Sequence, residues 1–150
     1  MLVNYKIVKD KNLLIQQYVG DFSIKKHISH VYKMKKHPEI KYVENILTDI
    51  RDVKTIFTKE GKDSAKTIKK MEWLIKLRSH VMKNKYKSAF LISNSENTVA
   101  IHLYQNGKDA KHITSTYCTT LEAALEFLEL KEDKDEIVSE LNKFLVLNVS

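Results

Sequence analysis

Residues 2–8 alternate apolar Val3, Tyr5 and Ile7 with polar Asn4 and Lys6, the period of two that turns one face of a strand toward a core. Asp10, Lys11 and Asn12 interrupt the pattern, and a run of Leu, Ile, Tyr and Val over 13–19 follows. So short a connection makes the pair an antiparallel hairpin, which Gly20 and Asp21 end. The period then changes. Ile24, Ile28, Val31 and Tyr32 recur at i, i+4, i+7 and i+8, one apolar stripe of a helix over about 24–36, with Ser23 as its N-cap and Pro38 as its stop. A third strand is expected over about 43–50. A long helix is expected from Thr58 to about residue 84, with Ala65, Ile68, Met71, Leu74, Ile75, Leu77, Val81 and Met82 on its buried side. Gly61 weakens its first turn or moves the start to Asp63 or Ser64. Trp73, on the same helix, reads as partial core or, alternatively, as the anchor of an interface. A fourth strand over 88–93 leads to a short helix with Val99, Ala100 and Leu103 inward and Gly107 at its end. Residues 112–117 form a fifth strand. Thr120 then caps a helix bearing Leu121, Ala124, Leu125 and Leu128. Asp133 and Glu136 are spaced as a capping box before a last helix with the stripe Ile137, Leu141, Phe144 and Leu145.

The order ββαβαβαβαα predicts an α/β fold. Its sheet is mixed, with an antiparallel N-terminal hairpin followed by parallel strands, flanked by helices and extended by an extra C-terminal helix. The expected organisation is an α/β domain over 1–130 with a helical extension over 131–150 packed on it. The apolar 144–149 end of that extension is expected to dock on the sheet, to cover a pocket, or to form a homodimer interface.

Composition narrows the classes. A chain of 150 residues with 43% hydrophobic residues, one Pro and three Gly has the means to build a core. Its single cysteine, Cys118, forms no internal disulfide and no multi-cysteine zinc site. No apolar run approaches the roughly twenty residues that span a bilayer, and no leader pattern opens the chain, so the expected location is cytoplasmic. The net charge is +7, but only Arg51 and Arg78 among the 26 basic residues are arginines. Base and phosphate readers lean on the guanidinium fork, so charge alone is read here as composition and not as a nucleic-acid signature. The charge is uneven: residues 119–150 sum to −5 and the remainder to +12. An acidic C-terminal face is expected to meet a basic one, within the chain or between copies.

Catalytic motifs are absent: there is no Gly-Xaa-Ser-Xaa-Gly, no P-loop and no His-Glu-Xaa-Xaa-His. His112 and Cys118 are separated by about 20 Å of strand, too far for proton transfer. His27, His30 and His37 sit among five lysines without an acid, which reads as a solvated face and not a metal site. Asp49, Arg51 and Asp52 are different. They end an interior parallel strand, the place where open α/β sheets bind their ligands. The plainer reading is that Asp49 caps loop amides and Arg51 pairs with an acid.

The hairpin closed by Gly20, the segment Thr48-Asp49-Ile50-Arg51-Asp52 and the closing Thr119-Thr120-Leu121-Glu122-Ala123-Ala124-Leu125-Glu126-Phe127-Leu128 resemble small bacterial STAS-like proteins. These are relatives of the anti-sigma-factor antagonists, sometimes grouped with lipid-binding domains. The resemblance covers roughly residues 3–130. It implies a regulatory or scaffolding module that acts by protein–protein contact, with no catalysis, cofactor or metal. The alternative it implies is a domain that binds a small apolar ligand or lipid. In the phospho-switch branch a serine follows the third strand, where phosphate adds charge beside a helix N-terminus. This chain has Thr55 and Thr58 there, and Thr58 also suits a plain N-cap. The expected partner-binding residues are therefore Asp49, Arg51, Asp52, Thr55 and Thr58.

Overall fold

The computed structural model describes residues 1–54, 69, 73, 76, 77, 80, 82, 85–93, 97, 98, 102 and 112–149. β1 (Leu2–Val8) and β2 (Leu13–Gly20) pair antiparallel, with Leu2 opposite Val19 and Val8 opposite Leu13. β3 (Asn45–Val53), β4 (Tyr86–Leu91) and β5 (Ile113–Cys118) follow, and β2 to β5 run parallel in the order β1-β2-β3-β4-β5. The mixed α/β sheet expected from the periodicity is therefore present. β3 runs three residues beyond its expected end, for a reason given below.

Burial follows from that order. β2 and β3 are interior strands, and their apolar runs are buried on both faces. Leu14 and Ile46 face α1 (Ile24–Lys35), where Val31 and Met34 cover them. Leu13, Ile15 and Leu47 face the other way. They meet Ala124, Leu125 and Leu128 of α2 (Leu121–Phe127) and the stretch after it, and Ile137, Leu141 and Phe144 of α3 (Lys134–Val149). Each such side chain contributes about 1.5–3 kcal/mol of transfer free energy. The C-terminal helix is thus a wall of the main core. Leu145, counted above on its inward stripe, is 49% exposed.

The caps read from sequence hold α1 and α2. Ser23 Oγ accepts from Lys26 N–H at 3.4 Å, and Thr120 Oγ1 accepts from Ala123 N–H at 3.3 Å. Asp133 and Glu136, spaced as a capping box, reach across to the hairpin turn. Both bind Lys11 Nζ, at 2.8 and 3.1 Å, and its side chain is only 15% exposed. Part of the acidic C-terminal charge is therefore met inside the chain, and Lys87 with Glu129 at 2.8 Å adds to it.

Hydrogen bonds to Asp133 and Glu136 raise the Lys11 ammonium above its ordinary value of 10.5, against the pull of burial. A raised folded-state pKa gives stability that is complete below the unfolded value and disappears only as pH rises through the folded one. Lys11 therefore stays clasped up to about pH 10. Hydrogen exchange of the first turn of α3 is expected to stay unchanged between neutral pH and pH 9 after correction for intrinsic rates, and to speed up in Lys11→Met. Equal protection in the variant and the parent would show that the clasp does not anchor the helix.

The described residues Lys69, Trp73, Lys76, Leu77 and His80 are helical, and Trp73 is 43% exposed, more than a core position allows. The rest of that expected helix, and Val99, Ala100, Leu103 and Gly107, lie outside the described residues. No described helix is long and apolar enough to cross a membrane.

Candidate functional site

The sequence Ile50-Arg51-Asp52-Val53 breaks the period of two. A regular strand places Ile50 with Asp52 on one face and Arg51 with Val53 on the other, yet Ile50 and Val53 are buried while Arg51 and Asp52 are exposed. The ladder resolves the conflict. Gln17 is opposite Asp49, and the next partners are Val19 and Asp52, so β3 carries one residue more than β2 across this interval. Such a bulge is rare between parallel strands. It lets Ile50 and Val53 join Tyr18 and Ile92 in one apolar cluster and turns two adjacent charged side chains outward.

Asp49 holds the bulge. Its carboxylate is 2% exposed and accepts three hydrogen bonds from a single residue: Arg51 backbone N–H on Oδ1 at 3.1 Å, Arg51 Nε on Oδ1 at 2.9 Å, and Arg51 Nη2 on Oδ2 at 2.8 Å. The first bond satisfies an amide inside the irregular stretch. The other two fix the guanidinium along its Nε edge. These hydrogen bonds, and then the charges of Asp49 and Asp52, raise the Arg51 pKa further, with burial opposing. Arg51 therefore pairs with an acid as expected, whereas the amide that Asp49 caps belongs to the bulged strand and not to a loop. The Arg51 side chain is still 43% exposed. The strand end is pinned from the segment after β4 as well: Ser93 Oγ donates to Arg51 O at 2.6 Å, and Asn97 Nδ2 donates to Val53 O at 3.4 Å. Asp52 is exposed beside Arg51. Thr55 and Thr58 lie outside the described residues.

A second polar group sits on the opposite face of the sheet, where sequence reasoning expected none. His30 is 4% exposed, and its Nε2 lies 3.1 Å from Oε1 of Gln16. Gln16, fully buried, donates through Nε2 to Thr48 Oγ1 at 2.7 Å. The Tyr5 and Tyr18 rings flank the imidazole at 5.2 and 5.9 Å, and His27 stands 5.4 Å from Tyr18. The solvated-face reading of His27 and His30 is corrected by this arrangement. The inward side of α1 holds the expected Ile24, Ile28 and Val31 together with His30 and Met34, whereas Tyr32 is 45% exposed. The missed signal was Gln16 in the middle of an apolar strand: a buried amide needs a partner, and a histidine on the covering helix supplies one.

No group of three or more metal-ligating side chains occurs among the described residues. Cys118 and His112 stand at opposite ends of β5, and burial raises the Cys118 thiol pKa, away from a reactive thiolate. No family model matches the chain, and neither a curated protein nor a solved structure matches it.

Proposed function

We propose that this chain is a non-enzymatic, STAS-like interaction module that docks a protein partner through the bulged end of β3. One observation carries the reading: the strand gives up its regular ladder at the point where a clamped arginine and a neighbouring aspartate emerge side by side. A bulge re-aims side chains, and bulges are enriched beside functional sites. Arginine is also among the residues that dominate interfaces, chiefly when it is held rigid and loses little freedom on docking. Asp49 supplies that rigidity from within the sheet. In this account Asp49 positions, Arg51 and Asp52 touch the partner, and Thr55 and Thr58, outside the described residues, are further proposed contacts by sequence alone. The mixed sheet with its N-terminal hairpin and closing helices is compatible with the STAS-like resemblance.

Charge reversal tests the surface without disturbing its support. Asp52→Lys leaves every hydrogen bond of Asp49 in place and is expected to change stability by less than about 0.5 kcal/mol. It is expected to lose, by at least tenfold, the stoichiometric protein partner that the parent chain retains from an extract of its own host. Arg51→Lys, which keeps the charge and loses the fork, is expected to weaken the same complex less. Undiminished retention by the folded Asp52→Lys variant contradicts the proposal.

A further inference from the structure

α1 carries a second surface, independent of the β3 bulge. Residues 22–37 hold five lysines and no acid. The helix places Lys25, Ser29, Tyr32, Lys33 and Lys36 at i, i+4, i+7, i+8 and i+11, all exposed, with Lys26 alongside. His30, Val31 and Met34 are buried on the opposite side. The ion pairs among the described residues engage Lys9, Lys11, Lys54, Lys87, Lys131, Lys134 and Lys143, and none of the α1 lysines. Lys26 Nζ donates to Met1 O at 2.9 Å, and Lys25, Lys33 and Lys36 leave a basic helix face outside the ion pairs of the described residues, about 17 Å long at 1.5 Å per residue. Tyr32, 45% exposed, stands in the middle of that face. Tyr42, 55% exposed with Lys41 Nζ 4.9 Å over its ring, follows beyond the helix.

We propose that the outer face of α1 binds single-stranded nucleic acid, with the lysines on the phosphates and Tyr32 stacked on an unpaired base. Charge complementarity selects a polyanion. Lysines without arginines suit phosphate contact and not base reading, so the binding is sequence-tolerant. An exposed ring set among cations is the arrangement that holds unstacked bases. Insertion of α1 into an anionic membrane is disfavoured because its apolar side already covers Leu14 and Ile46. Composition alone did not point this way; the placement of Lys25, Lys33 and Lys36 on the face of Tyr32, outside the ion pairs of the described residues, does.

The test is fluorescence anisotropy of the full chain with labelled oligothymidylate and oligouridylate of about twenty nucleotides, across a salt series. Both probes are expected to bind in the micromolar range at low salt, with a log–log salt slope near −3, from about 0.7 per phosphate for four to five lysines. The stronger of the two tells DNA from RNA. Lys25→Glu/Lys33→Glu/Lys36→Glu is expected to lose at least tenfold in affinity, and Tyr32→Ala about tenfold. The control Lys6→Glu/Lys9→Glu/Lys143→Glu, of equal charge change, is expected to lose less than threefold. Thermal melts show whether each variant is folded, and a Lys→Gln set at the same positions replaces the Glu set if that one unfolds. No binding at about 50 mM salt, a flat salt response, or equal losses in the control set overturns the proposal. Displacement by polyglutamate of matched charge, together with an unchanged Tyr32→Ala, overturns it in favour of an acidic protein surface. Sedimentation with phosphatidylserine vesicles in the absence of oligonucleotide binding overturns it in favour of a membrane.

Discussion

Arg51→Ala is expected to destabilise the protein by about 2–4 kcal/mol, far more than a half-exposed arginine normally costs. The reason lies with its partner. Asp49 is 2% exposed, and Arg51 supplies three hydrogen bonds to its carboxylate, two of them from the guanidinium. Removing the side chain leaves a buried charge whose only described side-chain counter-ion is gone. Breaking such a pair from one side costs about 3–5 kcal/mol when both groups are buried. The estimate is lowered because Arg51 is 43% exposed and water reaches the site. Urea denaturation followed by circular dichroism measures the loss. The cycle formed with Asp49→Asn and the double variant is expected to return a coupling energy above 1 kcal/mol. A cost under 0.5 kcal/mol, equal to that of Asp52→Ala, would mean that the clamp does not support the bulge.

Loss of α3 is expected to abolish the fold. Ile137 is fully buried, and Leu141 and Phe144 are 7% and 5% exposed in the cluster that contains Leu13, Ile15 and Leu47. Truncation after Asp133 removes all three and uncovers the side of β2 that carries Leu13 and Ile15. Phe144→Ala alone is expected to cost about 3–5 kcal/mol, the range for a large aromatic removed from a core, against a total stability of about 5–15 kcal/mol for a domain. The truncated chain is expected to lose cooperative melting, and Phe144→Ala to melt at least 10 °C below the parent. A truncated chain that melts cooperatively near the parent temperature would instead make α3 a dispensable appendage.

The sheet was legible because its strands obey simple periods. β1 alternates, β2 is apolar on both faces, and Ser23 and Thr120 are caps by type and place. Two things escaped for physical reasons. The end of β3 was set too early because Arg51 and Asp52 are consecutive charges, which end a regular strand but not a bulged one. The extra residue is visible only once Gln17 and Val19 have partners. The stripe of α1 was right in Ile24, Ile28 and Val31, which pack on the core, and wrong in Tyr32, which is exposed, while His30 takes an inward place that the pattern did not show. A histidine becomes a core residue only if the facing strand offers a polar atom, and Gln16 is fourteen positions away in sequence. In the site itself the sequence located Asp49, Arg51 and Asp52 but not their division of labour. Burial separates the positioning carboxylate from the two exposed charges, and burial depends on the whole sheet.

The most direct test of the central claim is site-specific photo-crosslinking in the host, with a photoreactive residue at the exposed position 54, just past the Arg51–Asp52 pair, and, as the control, at position 132 on the far acidic segment. The account predicts one discrete protein adduct from position 54, lost when Asp52 is replaced by Lys and reduced less when Arg51 is replaced by Lys, and none at equal yield from position 132. No adduct at position 54 from a folded, expressed chain, or the same adducts from both positions, contradicts it.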